Sequence, residues 1–233
     1  MTTTPPVALL AGGLATRMRP LTEKIPKSLL EVAGEPFIAH QLRLLQRQAV
    51  TRVVVCAGYL GEMVEAFVGD GARFGLSVSY SYDGDKLLGT GGALAQALPD
   101  LTDEFVVMYG DSWLNTDFAA VVDAFRASGK LGLMTVFQNE NAWDKSNVEF
   151  EDGVICNYDK RVQTPAMHHI DWGLGVLKAA AFAPWRTSEK FDLADLYSGL
   201  VEQGQLAGYE VAERFYEIGS MTGLDETNLF LKG

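Results

Sequence analysis

Val7 to Ala11 is an unbroken apolar run, the pattern of a strand buried on both faces. From Pro36 onward Ile38, Leu42, Leu45 and Ala49 recur at helical spacing, and proline suits a first helical turn. Arg52 to Ala57 is rich in β-branched residues and predicts a second core strand. Leu60 to Val68 predicts a helix with Met63, Val64 and Phe67 turned inward, and Leu76 to Tyr82 alternates as a half-exposed strand does. The first 82 residues thus predict βαβαβ, the signature of an α/β sheet with parallel strands.

The small segment Gly89-Thr90-Gly91-Gly92-Ala93 comes next, then a short helix to about Leu98 and a buried strand from Phe105 to Tyr109 that ends in Gly110-Asp111. Asp117 to Ser128 predicts a helix with Val121, Val122 and Phe125 as its apolar face. From Leu131 the pattern turns strand-rich, with runs at Leu131 to Phe137, Val148 to Glu151, Val154 to Tyr158 and Trp172 to Leu177. Asp152-Gly153 is a hairpin turn signal. Leu193 to Gln203 predicts a helix, Tyr209 to Val211 a short strand and Thr222 to Leu231 a closing helix. No internal repeat or linker interrupts the chain, so residues 1–233 are expected to form a single domain.

Charge narrows the partners. Lys and Arg number 19 against 30 Asp and Glu, a net charge of −11. Such an acidic chain is poorly suited to nucleic acid or an anionic membrane. Met1 to Pro6 lacks the features of a signal peptide, and no apolar window approaches the roughly 18 residues that a membrane helix needs, so a cytoplasmic, soluble protein is expected. Cys56 and Cys156 both fall in apolar, strand-like runs and are expected to be buried, reduced thiols.

Against that acidic background, cations cluster in one place. The first strand runs into Gly12-Gly13, then Arg17, Arg19 and Lys27. Glycines let backbone N–H groups turn toward one anion, arginine offers a planar fork to phosphate oxygens, and lysine supplies a point charge. The strand, glycine turn and cations together describe a cradle for a polyphosphate. It is neither a P-loop nor Gly-x-Gly-x-x-Gly. Asp111, at a strand end, could hold a hard divalent cation that also touches phosphate.

The run Leu10-Ala11-Gly12-Gly13-Leu14-Ala15-Thr16-Arg17-Met18-Arg19-Pro20-Leu21-Thr22, followed by Pro26-Lys27, resembles the signature of the sugar-1-phosphate nucleotidylyltransferases. Ala15 stands where that pattern usually has a third glycine. Gly89 to Ala93 resembles the family's G-T-[AG]-G-A segment, and Phe215-Tyr216-Glu217-Ile218-Gly219-Ser220 its W-x-D-x-G-[ST], with Glu217 for Asp and Phe215 for Trp. Tyr158-Asp159-Lys160 falls where many relatives have E-K-P.

The resemblance implies a Rossmann-like α/β/α sandwich with a mixed, mainly parallel sheet, of the nucleotide-diphospho-sugar transferase type. About residues 1–130 would bind nucleotide and about 131–233 the sugar. It also implies Arg17 and Lys27 as catalytic residues, and Leu10, Ala11, Gly12, Gly13, Thr16, Gly89, Thr90, Gly91 and Asp111 as nucleotide-binding. Asn147, Asp159, Lys160, Asp171 and Gly173 would hold the sugar phosphate, and Asp111 with Glu217 would place Mg²⁺. The expected reaction is transfer of a nucleotidyl group from an NTP to a sugar 1-phosphate in nucleotide-sugar and polysaccharide biosynthesis, with a homodimer among the expected assemblies.

In length and pattern the chain looks most like short bacterial enzymes that use GTP and a manno-configured heptose or hexose 1-phosphate. Transfer of a uridylyl group to an amino-sugar 1-phosphate is the alternative. A catalytically silent nucleotide-sugar sensor is a second, permitted by Ala15 and Glu217. A metal-dependent glycosyltransferase would want Asp-x-Asp after a strand, which Asp111-Ser112-Trp113 does not supply.

Overall fold

The fold is built on one nine-stranded sheet, described by a computed structural model over residues 4–185 and 190–233. Its strands are β1 (Val7–Leu10), β2 (Arg52–Ala57), β3 (Ser77–Tyr82), β4 (Glu104–Tyr109), β5 (Gly132–Gln138), β6 (Val148–Glu151), β7 (Val154–Tyr158), β8 (His169–Lys178) and β9 (Leu206–Val211). Their order across the sheet is β3-β2-β1-β4-β8-β5-β9-β7-β6. The first four strands are mutually parallel, and only β7 and β8 run against the rest. The sheet is therefore mixed, with most strands sharing one direction, as expected.

Alternation in the parallel strands sends side chains to two layers. Val7 and Leu9, with Val53, Val55, Val106 and Met108, pack toward α1 (Phe37–Arg47), α2 (Gly61–Val68) and α4 (Phe118–Ser128). Ala8, Val54, Cys56, Phe105 and Val107 pack toward α3 (Gly89–Ala97) and α5 (Leu193–Glu202). The near-continuous apolar runs in β1, β2 and β4 follow from burial on both faces. A sixth helix, α6 (Met221–Leu231), is capped by the Ser220 hydroxyl, which accepts from the Gly223 N–H at 2.9 Å.

The structure corrects the expected elements in a few places. The segment Gly89 to Ala93 is the first turn of α3 rather than a loop before it. Both β8 and β9 begin three residues earlier than their sequence patterns. Cys56 is buried, but Cys156 is exposed, because it lies on the solvent side of the β6–β7 hairpin. Met63 also faces outward.

In an open sheet, ligands sit beyond the carboxyl ends of parallel strands. Here β1 ends in the glycine turn, β2 in Gly58, β3 in Asp83 and β4 in Gly110-Asp111, all along one edge. β8 runs antiparallel to β4 with Leu174 opposite Met108, which brings Asp171, Trp172 and Gly173 to that same edge.

Candidate active site

The cradle is shaped by close backbone approach. A Cβ on Gly12 would lie 2.8 Å from the Gly58 backbone nitrogen, so the β1 and β2 turns can pass each other only without side chains. The Tyr59 N–H then donates to the Gly12 carbonyl at 3.3 Å. Ala15 is left-handed, with φ 47 and ψ 42, a conformation glycine adopts without a Cβ penalty. That geometry is a physical reason for glycine in the family pattern. The turn is nonetheless held. The Thr22 hydroxyl, almost fully buried, donates to the Ala15 carbonyl at 2.8 Å, and Met18 is buried beneath the helical turn Thr16–Met18. Arg17 on the same turn is left exposed.

Asp111 and Glu217, far apart in sequence, are joined by a two-residue ladder. Ser112–Trp113 pairs antiparallel with Tyr216–Glu217, Ser112 opposite Glu217, and the Ile218 N–H donates to the Asp111 carbonyl at 2.9 Å. Buried Gln41 of α1 donates to the Tyr109 and Ser112 carbonyls at 3.1 and 2.9 Å, clamping the backbone on either side of Asp111. The two carboxylates and Arg17 converge beside Gly219. From the position a Cβ would take there, Glu217 Oε2 lies at 2.6 Å, Asp111 Oδ2 at 3.6 Å and Arg17 Nη2 at 3.7 Å.

Lys27 Nζ donates to Asp111 Oδ2 at 2.5 Å, with both side chains only partly exposed. Burial works to raise the Asp111 pKa, but the charge and hydrogen bond of Lys27, helped by the Ser112 hydroxyl, hold it below the usual carboxylate range. Glu217 accepts from the Ser220 hydroxyl at 2.7 Å and from the Gly219 N–H.

Two cavities meet at this point. One, of about 210 Å³, is lined by Leu10, Ala11, Gly12 and Gly13, by Lys27 and Asp111, and by Gly89 and Thr90. The other is open and about 760 Å³; it holds Arg17, Asn147, Asp159, Lys160, Asp171, Gly173 and Glu217. Asp111 and Tyr109 line both. The structure thus gathers each predicted sugar-side residue in one cavity and most predicted nucleotide-side residues in the other. Two stand apart. Thr16 is exposed on the turn, and Gly91 is buried against Phe191, where a Cβ would lie 2.2 Å from the ring. Arg17 belongs to the larger cavity, across Asp111 from the glycine turn.

On the sugar side, Asp171 is almost fully buried and accepts from the Tyr158 hydroxyl at 3.1 Å and the Gly173 N–H at 3.0 Å. A register break in β8 between Asp171 and Gly175 turns this stretch toward the cavity. The Asn147 side-chain oxygen accepts from the Asp171 N–H at 2.9 Å, so Asn147 fixes its neighbour. Lys160 Nζ lies 3.1 Å from the Tyr109 hydroxyl and 3.9 Å from Asp171. Burial opposes the Lys160 charge, but Tyr109 and Asp171 outweigh it and hold its pKa above the ordinary value. Asp159 accepts the Arg161 and Val162 N–H groups at 2.6 and 3.0 Å, and those bonds lower its pKa.

Sequence reasoning missed Asp83, Ser28, Tyr109 and Trp143. Asp83 and Ser28 line the smaller cavity, Trp143 the larger, and the buried Ser28 hydroxyl has no partner among the described residues. Asp83 and Tyr109 sit at carboxyl ends of parallel strands, so the strand-end rule applied at every strand would have found them. Nothing local marks Ser28 or Trp143; the indole, half exposed, is held by the Arg214 guanidinium 3.4 Å from its ring centre.

This fold, with a glycine turn and cations at the strand ends and carboxylates across a divided cleft, defines a protein that handles phosphorylated nucleotides and a second anionic substrate. A model of the nucleotidyl transferase family matches residues 7–157. The chain belongs to that family, and the resemblance to its sugar-1-phosphate nucleotidylyltransferases is borne out. It is 28% identical over 220 residues to N-acetylmuramate alpha-1-phosphate uridylyltransferase of Neisseria meningitidis, covering 94% of each chain. It is also 28% identical over 217 residues to mannose-1-phosphate guanylyltransferase catalytic subunit beta of Xenopus tropicalis, covering 91% of this chain and 60% of that protein. The fold is similar to that of HddC from Yersinia pseudotuberculosis complexed with GMP-PN, with a TM-score of 0.81 at 20% identity over 98% of this chain and 100% of that one.

Proposed function

We propose that this enzyme transfers a nucleotidyl group from an NTP, GTP by preference, to a manno-configured heptose or hexose 1-phosphate, and releases pyrophosphate. The observation that carries this reading is the pair of cavities that share Asp111 and Tyr109, with Lys27 bonded to Asp111 from the smaller one and Arg17 and Lys160 lining the larger. A phosphate oxygen of the acceptor attacks the α-phosphorus in line. The new P–O bond forms as the bond to the leaving oxygen breaks, and pyrophosphate departs with that electron pair. No covalent nucleophile is required, so the protein acts by holding anions in line and stabilising charge.

In this scheme Gly12 and Gly13 contact the nucleotide through backbone groups, and Arg17 holds the departing phosphates. Lys27 bridges the α-phosphate and the acceptor phosphate, which Lys160 and Asn147 steer from the other side. Asp171 and Asp159 accept from sugar hydroxyls. The donor set beside Gly219 suits Mg²⁺, which takes one or two carboxylates and completes its shell with phosphate oxygens and water. Asp111 and Glu217 would hold the ion, and when bound it would neutralise phosphate charge. No third acidic, cysteine or histidine ligand joins them among the described residues.

The Neisseria relative, matched over nearly its whole length, favours a second reading, uridylyl transfer to an amino-sugar 1-phosphate. No described helix is long and apolar enough to cross a membrane. We place the reaction in the cytoplasm, where NTPs are abundant. Pyrophosphate release with Mg²⁺, scanned over GTP, UTP, CTP, ATP and dTTP against manno-heptose, mannose, glucose and amino-sugar 1-phosphates, tests both readings. Release that requires one NTP and one sugar phosphate together confirms the transfer. Nucleotide binding without release for any pair would replace it with the silent sensor.

A further inference from the structure

The smaller cavity contains two carboxylates in unlike circumstances. Asp111 is neutralised by Lys27. Asp83, directly after β3, has no cation partner among the described residues. Its backbone N–H continues the sheet by donating to the Ala57 carbonyl at 3.0 Å. Its Oδ2 accepts the Leu88 N–H at 3.1 Å across the loop that leads into α3, and Oδ1 has no hydrogen-bond partner among the described residues. The walls around it are supplied by Gly12, Cys56, Leu87, Gly89 and Thr90. These side chains are small or apolar, which suits the flat face of a base. Burial pushes the Asp83 pKa up, and only the Leu88 N–H opposes it.

A half-buried carboxylate without a counter-charge is costly unless a ligand brings donors to it. A carboxylate can only accept, and its two oxygens have about four lone-pair sites, most of them open here. Among the five common bases, guanine alone presents two adjoining donors, N1–H and the N2 amino group, on one edge. Uracil and thymine offer a single N3–H between two carbonyl oxygens, which would face the carboxylate with like charge. Adenine and cytosine place their amino group beside a bare ring nitrogen. We infer that Asp83 is the base-selecting residue of this enzyme and that it reads the N1–H and N2–H edge of guanine. The inference rests on the nucleotidyl-transfer reading for its setting and decides between that reading's guanylyl and uridylyl forms.

The test separates base selection from turnover. Calorimetric binding and pyrophosphate release are measured on the full chain with GTP, UTP and ITP, which is GTP without the N2 amino group of its base. A hydrogen bond to a charged group corresponds to roughly tenfold to a hundredfold in affinity. GTP should therefore bind about ten to a hundred times better than ITP, and better still than UTP. Asp83→Asn presents an amide that donates as well as accepts. It should bring GTP and ITP within about threefold of each other and improve UTP relative to GTP.

Tighter binding of UTP than GTP by the wild-type protein would overturn the assignment. So would equal affinity for GTP and ITP, or Asp83→Asn retaining the GTP preference. The GTP–ITP comparison needs no variant, so it decides even if Asp83→Asn fails to fold. Binding that discriminates GTP from ITP without pyrophosphate release for any acceptor would uphold Asp83 while refuting the catalytic reading. Absence of binding by every nucleotide would refute both.

Discussion

Removing the charge of Lys27 should destabilise the protein as well as disable it. Its ammonium lies 2.5 Å from Asp111 Oδ2, and about a fifth of its side chain and less than a third of the carboxylate's are exposed. Lys27→Met keeps the aliphatic stem and leaves Asp111 with burial opposed only by the Ser112 hydroxyl and a backbone hydrogen bond. Stranding one partner of such a bond costs about 1–3 kcal/mol. For a chain of this size each kcal/mol moves the melting temperature by roughly 2–4 °C, so a fall of about 2–12 °C near neutral pH is expected.

The sign of the pH dependence is fixed by the same contact. In the wild type the folded-state pKa of Asp111 is depressed, so the pair's stabilisation is present above the unfolded value of about 3.9 and is lost as pH falls through the folded value. In Lys27→Met burial raises that pKa instead. The gap in melting temperature should therefore narrow once the pH drops below the variant's raised value, and close below the wild type's depressed one. Circular dichroism melts of wild type, Lys27→Met, Asp111→Asn and the double variant, from pH 7.5 to 4, measure the gap and the coupling. The double variant should lose less than the two single losses added together. Turnover by Lys27→Met should fall about 10²–10³-fold at neutral pH. A variant that melts with the wild type at pH 7.5, or a gap that stays constant down to pH 4, would refute the argument.

Chelation with EDTA should abolish pyrophosphate release, and Glu217→Gln should raise the Mg²⁺ concentration for half-maximal rate about tenfold or more; an unchanged Mg²⁺ titration would remove Glu217 from the metal site. Asp171→Asn should raise the KM for the sugar phosphate and leave that for the NTP within about twofold, since Asp171 lines only the larger cavity; equal effects on both would mean that it shapes the cleft as a whole. Gly91→Ala would place a methyl 2.2 Å from the Phe191 ring, which is itself stacked on Trp185 at 4.7 Å. Overpacking of that kind costs about 1–3 kcal/mol, and urea denaturation should register it. A midpoint equal to the wild type's would show that the ring yields without loss.

The parts of the site that were legible in the sequence are those carried by contiguous runs. The glycine turn and Asp111 follow strands directly, Lys27 closes the motif that the glycine turn opens, and the five sugar-side residues fall in short segments. What the sequence hid depends on contacts between distant segments. Glu217, paired with Asp111 by the family resemblance alone, reaches it through the Ser112–Glu217 ladder, and Gln41 braces Asp111 from a helix whose polar residue would otherwise pass for surface. Gly91 matches the nucleotide-contacting motif, yet it faces Phe191 because α3 begins at Gly89 and rotates Gly91 toward α5. Cys156 reads as buried beside Ile155 and Tyr158, but it sits at a break in the ladder between Ile155 and Asn157 that leaves it exposed while both neighbours face the core. Parallel strands hid little, since burial on both faces leaves a plain apolar run.

The pairing of charges also bears on how so acidic a chain holds polyanions. Lys27 is engaged by Asp111, and Lys160 lies near Asp171, so these two cations face incoming phosphates already partly neutralised. Arg17 differs, for no carboxylate lies within salt-bridge distance of it among the described residues, although Glu217 and Asp111 sit near the same point beside Gly219. An NTP entering the smaller cavity therefore meets one lysine that must exchange a carboxylate for phosphate, while the unpaired guanidinium waits across Asp111 in the larger cavity. That exchange carries a modest cost, because both sides of the Lys27 pair still touch solvent. A divalent cation held by Asp111 and Glu217 would lower it further by taking the charge that Lys27 relinquishes. On this reasoning Mg²⁺ and NTP should bind with positive cooperativity, each releasing what the other needs, and Lys27→Met should weaken that coupling because it leaves no ion pair to exchange.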